Sequence, residues 1–149
     1  MTFLNTDRSI LSSLARLISS ENSASDLLAL LIELGDRPLV EFFQLPEDES
    51  YHARREVTAG SKGRPDIVIY GDSLDPVIIL EMKAGTDVHG DQLERYSGWS
   101  DQFTSAPGLY LCTFDTDQKT SDPKWRKIRL HDIFSVWKRS KNTYAAWLA

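Results

Sequence analysis

The chain has 149 residues, of which 41% are hydrophobic and 26% charged, a composition typical of one globular domain with its own core. Its one cysteine, Cys112, excludes a disulfide framework and a cysteine-based zinc site. No apolar run approaches the roughly 20 residues that a membrane-spanning helix needs. We therefore expect a single cytoplasmic domain over residues 1–149 that has no membrane partner and keeps Cys112 as a buried, inert thiol.

Charge is unevenly distributed along the chain. The net charge of −5 argues against loose, non-specific binding of nucleic acid. Residues 118–149, however, carry eight Lys or Arg against two Asp, a net charge of +6, whereas residues 1–117 carry nine against twenty, or −11. This basic C-terminal part permits a local face for a polyanion, although a solvated surface explains the same charges.

The N-terminal part, residues 8–44, shows helical spacing of its apolar residues. Leucines and isoleucines at spacings of one, three and four predict a first helix over residues 8–18. Cap-forming residues at 19–23 predict the start of a second helix, which Gly35 ends. Asp36 and Pro38 then fit the opening turn of a short helix that reaches Phe43.

After residue 50 the periodicity changes to that of strands and shorter helices. The pattern predicts strands over 53–58, 66–70, 76–83, 109–114 and 125–130, and helices over 91–103 and 131–141. The continuous apolar run over 76–83 is typical of a central strand covered on both faces, and 125–130 of a short edge strand. The order of elements predicts a mixed α/β domain.

Two charged residues interrupt the apolar run of the predicted central strand. Residues two apart in a strand point to the same side, so Glu81 and Lys83 share one face. Burying them is expensive unless they pair with each other or bind a cation. A simple Glu–Lys ion pair is the structural alternative, although apolar residues often replace such pairs at no cost.

Asp66 gives this pair its chemical interest. If the strands over 66–70 and 76–83 form a hairpin, Asp66 lies beside Glu81. Two carboxylates and backbone oxygens suit a hard divalent cation such as Mg²⁺. Lys83 next to that cation would orient a water molecule and stabilise charge on a phosphate.

The segments Pro65-Asp66 and Glu81-Met82-Lys83 resemble the motif of the PD-(D/E)XK nuclease superfamily. The resemblance implies a restriction-endonuclease-like mixed β-sheet flanked by helices, with an αβββαβ core. It further implies that Asp66, Glu81 and the backbone carbonyl of Met82 bind Mg²⁺ or Mn²⁺. Lys83 would be the catalytic lysine, and DNA the substrate.

The helix that follows adds a second resemblance. Gln92 and Tyr96 match the QxxxY element of a subset that includes RecB-like nucleases. Positions four apart on a helix face the same way, so both side chains can reach the site and contact the substrate. A core tyrosine beside a solvated glutamine is the alternative.

Further candidates surround the site. By the same resemblance Glu21, at the start of the second helix, is a metal ligand; its alternative is a carboxylate favoured by the helix dipole. Glu56 would touch the metal through water or pair with a nearby arginine. A basic cluster flanks the site and suits a phosphate clamp: Arg54, Arg55, Lys62 and Arg64.

The sequence thus predicts a Mg²⁺-dependent nuclease with little intrinsic sequence specificity, because no separate DNA-reading element is present in the 149 residues. The alternative is a nuclease-fold module for binding or assembly within a larger defence or repair complex. A more distant alternative is an unrelated α/β regulatory protein. Both endonuclease and exonuclease activity fit the motif, and so does a homodimer or a partner protein.

Overall fold

The computed structural model describes residues 20–83, 91–113, 122–142 and 146. In chain order its elements are α1 (Glu21–Leu34), α2 (Arg37–Phe43), β1 (His52–Arg55), β2 (Ile67–Tyr70), β3 (Pro76–Lys83), α3 (Gln92–Ser100), β4 (Gly108–Thr113), β5 (Arg126–Arg129) and α4 (Leu130–Ser135). Short 3-10 turns cover Gly60–Lys62 and Val136–Arg139. None of the helices in these ranges is long and apolar enough to cross a membrane. The predicted mixed α/β class is confirmed, and the predicted helix over 8–18 lies outside the described residues.

The five strands form one sheet in the order β1-β2-β3-β4-β5. Strands β1, β2 and β3 are antiparallel neighbours, whereas β3–β4 and β4–β5 are parallel pairs. Parallel neighbours need a crossover connection, and α3 lies in the one between β3 and β4. The predicted central position of β3 and edge position of β5 are therefore confirmed.

Helices pack against both faces of the sheet. On the α1 face, Ile78, Leu80 and Met82 of β3 pack with α1, α2, α4 and Trp137. On the α3 face, Ile79 packs with Leu93 and Tyr96 of α3. The same cluster includes Leu109 and Leu111 of β4 and Trp125, which precedes β5. Because side chains alternate along a strand, Glu81 and Lys83 belong to the α3 face.

Cys112 lies in the core of the α1 face and is fully buried. Burial raises the pKa of its thiol, because the thiolate would lose its hydration. The predicted burial of Cys112 is confirmed.

The boundaries of α1 follow from its caps. The Ser20 hydroxyl accepts a hydrogen bond from the Ser23 backbone N–H at 3.1 Å. At the other end, the carbonyls of Leu34 and Gly35 accept hydrogen bonds from the side chains of Asn142 and Trp137 at 3.0 and 2.9 Å. The last turn of α1 is thus held by the C-terminal part of the described chain.

Three predicted elements extend well beyond their observed C-terminal ends, and the strand predicted over 125–130 ends one residue earlier, at Arg129. The strand predicted over 53–58 ends at Arg55, because Glu56 has a positive φ of 49°, in the left-handed region. Glu56 therefore does not lie on the strand that was predicted to carry it. The helix predicted over 91–103 ends at Ser100. The helix predicted over 131–141 ends at Ser135 and continues as the 3-10 turn Val136–Arg139.

Trp137 is a sharp test of how the C-terminal part supports the fold. Its side chain is fully buried, and its indole N–H also caps α1. We expect Trp137→Ala to lower the free energy of unfolding by about 3–5 kcal/mol, the usual loss for a buried aromatic. Leu74→Ala is the matched control, since Leu74 is 95% exposed and its loss should change stability by less than about 0.5 kcal/mol. Urea denaturation of both variants measures the difference, and equal stabilities would contradict the packing described here.

Candidate active site

Asp66 and Glu81 lie side by side at one end of the β2–β3 hairpin. The antiparallel register places Ile67 opposite Leu80. Asp66, the residue just before β2, therefore lies next to Glu81. The Asp66 backbone N–H donates to Glu81 Oε2 at 3.4 Å. In return, the Met82 backbone N–H donates to Asp66 Oδ2 at 2.7 Å. The predicted hairpin pairing of these two carboxylates is confirmed.

Lys83 completes this cluster on the α3 face. Its Nζ lies 3.2 Å from Glu81 Oε1, and the residues are only 5% and 2% exposed. Both side chains project from the central strand beside the buried residues Leu111 and Thr113 of β4. A charge pair therefore occupies the part of the sheet where an apolar pair would ordinarily pack.

Burial dominates the electrostatics of the two carboxyl groups. It raises the pKa of Glu81 to about 7, with a further increase from the Asp66 charge and a partial offset from Lys83. Burial also raises the pKa of Asp66. The hydrogen bond from the Met82 N–H and the positive charges of Lys83 and Arg55 lower that pKa and offset part of the increase. The Glu21 charge at the start of α1 adds a smaller increase to the pKa of Asp66. Both carboxylates would thus be stabilised by additional positive charge.

Helix α3 brings Gln92 and Tyr96 to this cluster. Tyr96 is 3% exposed, and its pKa is raised first by burial. The Glu81 and Asp66 carboxylates raise it further, so the phenol lies within range of both charges. Gln92 Nε2 donates to the Tyr96 hydroxyl at 3.3 Å, while its Oε1 is buried without a hydrogen-bond partner among the described residues. A hydrogen bond thus joins Gln92 to Tyr96, whose hydroxyl lies within range of the carboxylate charges.

The turn before Asp66 packs directly on Tyr96. Gly63 has a φ of +113°, and a Cβ added there would lie 3.3 Å from Tyr96 Cε1. Arg95 Nη1 donates to the Lys62 carbonyl at 3.2 Å, and Arg95 Nε lies 3.2 Å from Asp91 Oδ1. Neither Gly63 nor Arg95 is among the predicted site residues. The four-residue spacing of Asp91 and Arg95 is the local sequence signal for the contact between those two side chains.

The four predicted basic residues occupy different environments. The Arg55 guanidinium contacts the Asp26 carboxylate at 2.7 Å and donates to the Asp66 carbonyl. It therefore links α1 to the backbone of the candidate site. The Arg54 guanidinium lies 5.7 Å from the centre of the Tyr70 ring. Lys62 is half-buried in its turn, and Arg64 is exposed one residue before Pro65.

The two further acidic candidates also differ. Glu21 lies in the first turn of α1, close enough for its charge to act on Asp66. Glu56 is exposed, and its backbone N–H donates to the Asp66 carbonyl at 3.2 Å. The charge of Glu21 thus acts on the carboxylate pair. Glu56 contacts Asp66 through its backbone, and its own side chain is exposed.

The donor set fits a divalent cation of the Mg²⁺ type. Over the ranges described above, no group of three or more His, Cys, Asp or Glu side chains is placed to hold a metal ion. Among the described residues, Asp66 and Glu81 are the side chains that could hold a cation, with backbone, amide or water oxygens as its other ligands. Mg²⁺ is commonly bound through one or two carboxylates and keeps several waters. The buried, unpartnered Gln92 Oε1 and the raised pKa values of both carboxyl groups agree with this fit.

The described residues define a five-stranded mixed sheet between helices, with a buried carboxylate pair and a lysine at the end of its central strand. Comparisons with known protein families, with curated proteins and with solved structures return no match for this chain. The chemistry of the site is therefore inferred from the side chains that the fold brings together.

The raised pKa of Glu81 predicts a specific pH dependence of stability. Between the ordinary value of 4.5 and about 7, the folded state binds more protons than the unfolded state. The Glu81 contribution is therefore fully present below pH 4.5 and is lost as the pH rises through about 7. With EDTA present, Glu81→Gln should reduce the fall in unfolding free energy between about pH 5 and 8 by roughly 2–3 kcal/mol, at 1.36 kcal/mol per unit. Glu94→Gln, at an exposed position of α3, is the control and should keep the wild-type slope; equal slopes for all three proteins would contradict the prediction.

Gly63 predicts a backbone requirement next to the site. We expect Gly63→Ala to lower the free energy of unfolding by about 1–3 kcal/mol, because alanine is strained at this φ and its Cβ crowds Tyr96. Gly98→Ala is the matched control, because it lies inside α3 and an added Cβ meets nothing within 4 Å. It should raise stability by about 0.5–1 kcal/mol through helix propensity. Chemical denaturation checks both, and changes of the same sign would count against the Gly63–Tyr96 contact.

Proposed function

We propose that this protein is a metal-dependent nuclease that hydrolyses phosphodiester bonds of DNA with little intrinsic sequence specificity. The observation that carries the proposal is the buried Glu81–Lys83 pair with Asp66 beside it, at one end of the central strand. A nearly inaccessible lysine and two carboxylates with raised pKa values are costly to the fold. Their proximity supports a chemical role.

The order of elements supports a restriction-endonuclease-like fold for this proposal. Apart from the short helix α2 between α1 and β1, the chain runs from a helix through three antiparallel strands and a crossover helix to a parallel strand: α1, β1–β3, α3 and β4. This order agrees with the αβββαβ core that the PD-(D/E)XK resemblance implies. The motif residues also fall where that core would need them, at the paired ends of β2 and β3.

Asp66, Glu81 and the Met82 carbonyl would hold Mg²⁺ or Mn²⁺. Such an ion, when bound, lowers the pKa of the attacking water and offsets the charge of the scissile phosphate. Lys83 contributes a fixed positive charge within 3.2 Å of Glu81, where it can orient that water and stabilise charge that develops on the phosphate. Gln92 and Tyr96 would position the substrate through the Gln92 amide and the Tyr96 hydroxyl.

The remaining parts of the proposal concern context. The exposed Arg64 and the half-buried Lys62 would reach phosphates of the bound strand, whereas Arg55 would keep Asp66 in place. One site cuts one strand, so cleavage of a duplex favours a homodimer or a partner protein. A buried, unpaired thiol suits the reducing cytoplasm.

A cleavage assay tests the proposal. We expect the wild type to degrade DNA with Mg²⁺ or Mn²⁺ but not with EDTA, and Asp66→Asn, Glu81→Gln and Lys83→Ala each to lose about 100-fold or more. Asp66→Asn preserves an oxygen that accepts the Met82 N–H, so loss of activity there does not reflect loss of the hairpin. Lys141→Ala, an exposed lysine, is the control and should remain active. Circular and linear duplexes, single strands and RNA distinguish endonuclease from exonuclease action and define the substrate.

Metal binding gives a second readout that is independent of turnover. Mg²⁺ should raise the melting temperature of the wild type and of Lys141→Ala, since a ligand at 100 times its Kd contributes about 2.7 kcal/mol of stability. Asp66→Asn and Glu81→Gln should lose this response. Absence of metal-dependent cleavage on every substrate would overturn the nuclease proposal and favour a nuclease-fold module for binding or assembly.

A further inference from the structure

Strand register connects the candidate active site to the edge strand β5. In the parallel pairing, Lys83 lies next to Thr113 of β4, and Thr113 lies next to Arg129 of β5. One row earlier, Glu81, Leu111 and Lys127 are neighbours in the same way. Registered neighbours share a face, so Lys127 and Arg129 stand on the α3 face together with Glu81 and Lys83.

These two cations are exposed and available. Lys127 and Arg129 are both exposed, and the described residues offer neither of them an ion pair. Lys124, just before β5, differs because its Nζ lies 2.8 Å from Asp101 Oδ2. The charges of Lys127 and Arg129 are therefore not neutralised within the described part of the molecule.

The opposite side of β5 provides an internal contrast. Ile128 lies on the α1 face and packs against its core, and Arg126 shares that face through its pairing with Tyr110. The strand thus directs two of its three cations towards the face of the candidate site. Because side chains alternate along a strand, Lys127 and Arg129 share one face. The register of β3, β4 and β5 makes it the same face as that of Lys83.

We propose that Lys127 and Arg129 form a phosphate-binding flank that holds the backbone of a nucleic acid next to the active site. Two strand spacings of about 4.8 Å separate the backbones of β3 and β5, so the flank lies about 10 Å from Lys83. That span equals about three base-pair rises of 3.4 Å, measured along the axis of a duplex. The inference rests on the proposed function, because it defines how the same site would receive its substrate.

The spacing of the cations favours a nucleic acid over an acidic protein as the occupant. Asp66 and Glu81 repel any anion that approaches the end of β3 until a bound cation offsets their charge, so the regular repeat of the anionic groups distinguishes the two occupants. A phosphodiester backbone meets this requirement, because its phosphates repeat at intervals that let one lie at the end of β3 and another at the flank. Cations at both points then act on a single continuous polyanion.

Binding to DNA in the Asp66→Asn background tests the flank without cleavage. A short labelled duplex and its single strand are titrated with this protein in Mg²⁺ by fluorescence anisotropy, at several salt concentrations between about 50 and 200 mM. Added to this background, Lys127→Gln/Arg129→Gln should weaken binding roughly tenfold at the lowest salt. It should also reduce the slope of log K against log salt by about 1.8 for the duplex or 1.4 for the single strand.

The control removes the same charge from the other side of the molecule. Arg126→Gln/Lys138→Gln, in the same background, also loses two exposed cations, one on the α1 face of β5 and one beside Trp137. This control variant should keep its affinity within about twofold of the parent. Its slope of log K against log salt should stay within about 0.3 of the parent value. Circular dichroism and melting temperatures establish that all variants are folded.

The outcomes separate this inference from the proposed function. Equal weakening by both double variants would overturn the proposed flank, because the overall charge of the protein would then explain binding. Unchanged binding by Lys127→Gln/Arg129→Gln would also overturn it. If the flank variant binds normally while the wild type cleaves DNA, the inference fails and the nuclease proposal stands. If the flank variant alone loses binding but no protein cleaves DNA, the flank stands and the nuclease proposal fails.

Discussion

The burial of the ion pair between Glu81 and Lys83 is the constraint around which the candidate site of this molecule is arranged. Each charge costs several kcal/mol to bury, and a contact of 3.2 Å repays that cost only in part. Removing one partner would leave an uncompensated charge in the centre of the sheet, whereas replacing both by apolar residues is often neutral. Stability alone therefore gives no reason for this pair, although the neighbouring elements pack around it.

Asp66 is held in place by its neighbours more than by its own strand. Its carboxylate accepts from the Met82 N–H, and its carbonyl accepts from Arg55 and from the Glu56 backbone. Arg55 also contacts Asp26 of α1, so one guanidinium joins the helix, the edge strand and the site. The carboxylate pair is thus preorganised by backbone and side-chain contacts from several elements.

The parts of the site that could be predicted are those set by local periodicity. The apolar run gave the limits of β3 correctly, and the period of two placed Glu81 and Lys83 on one face. The hydrogen bond between Gln92 and Tyr96 agrees with their helical spacing of four. By contrast, the Arg55–Asp26 contact joins residues 29 positions apart, and the contact of Gly63 with Tyr96 spans 33. Neither leaves a local pattern, and the position of β5 beside the site requires the register of three strands.

The acidic net charge is compatible with a polyanionic substrate because charge acts locally. At physiological ionic strength the Debye length is about 8 Å, so exposed carboxylates elsewhere on the surface are largely screened from the end of β3. The acidic residues around Glu49 and Asp72 lie at the other end of the β2–β3 hairpin, beside the turn between those strands. The charge near the end of β3 is therefore set by the buried Lys83, the carboxylate pair that a cation would neutralise, and the two cations of β5 on the same face. The net charge of the chain describes the surface as a whole, and the register of the sheet determines the charge at the site.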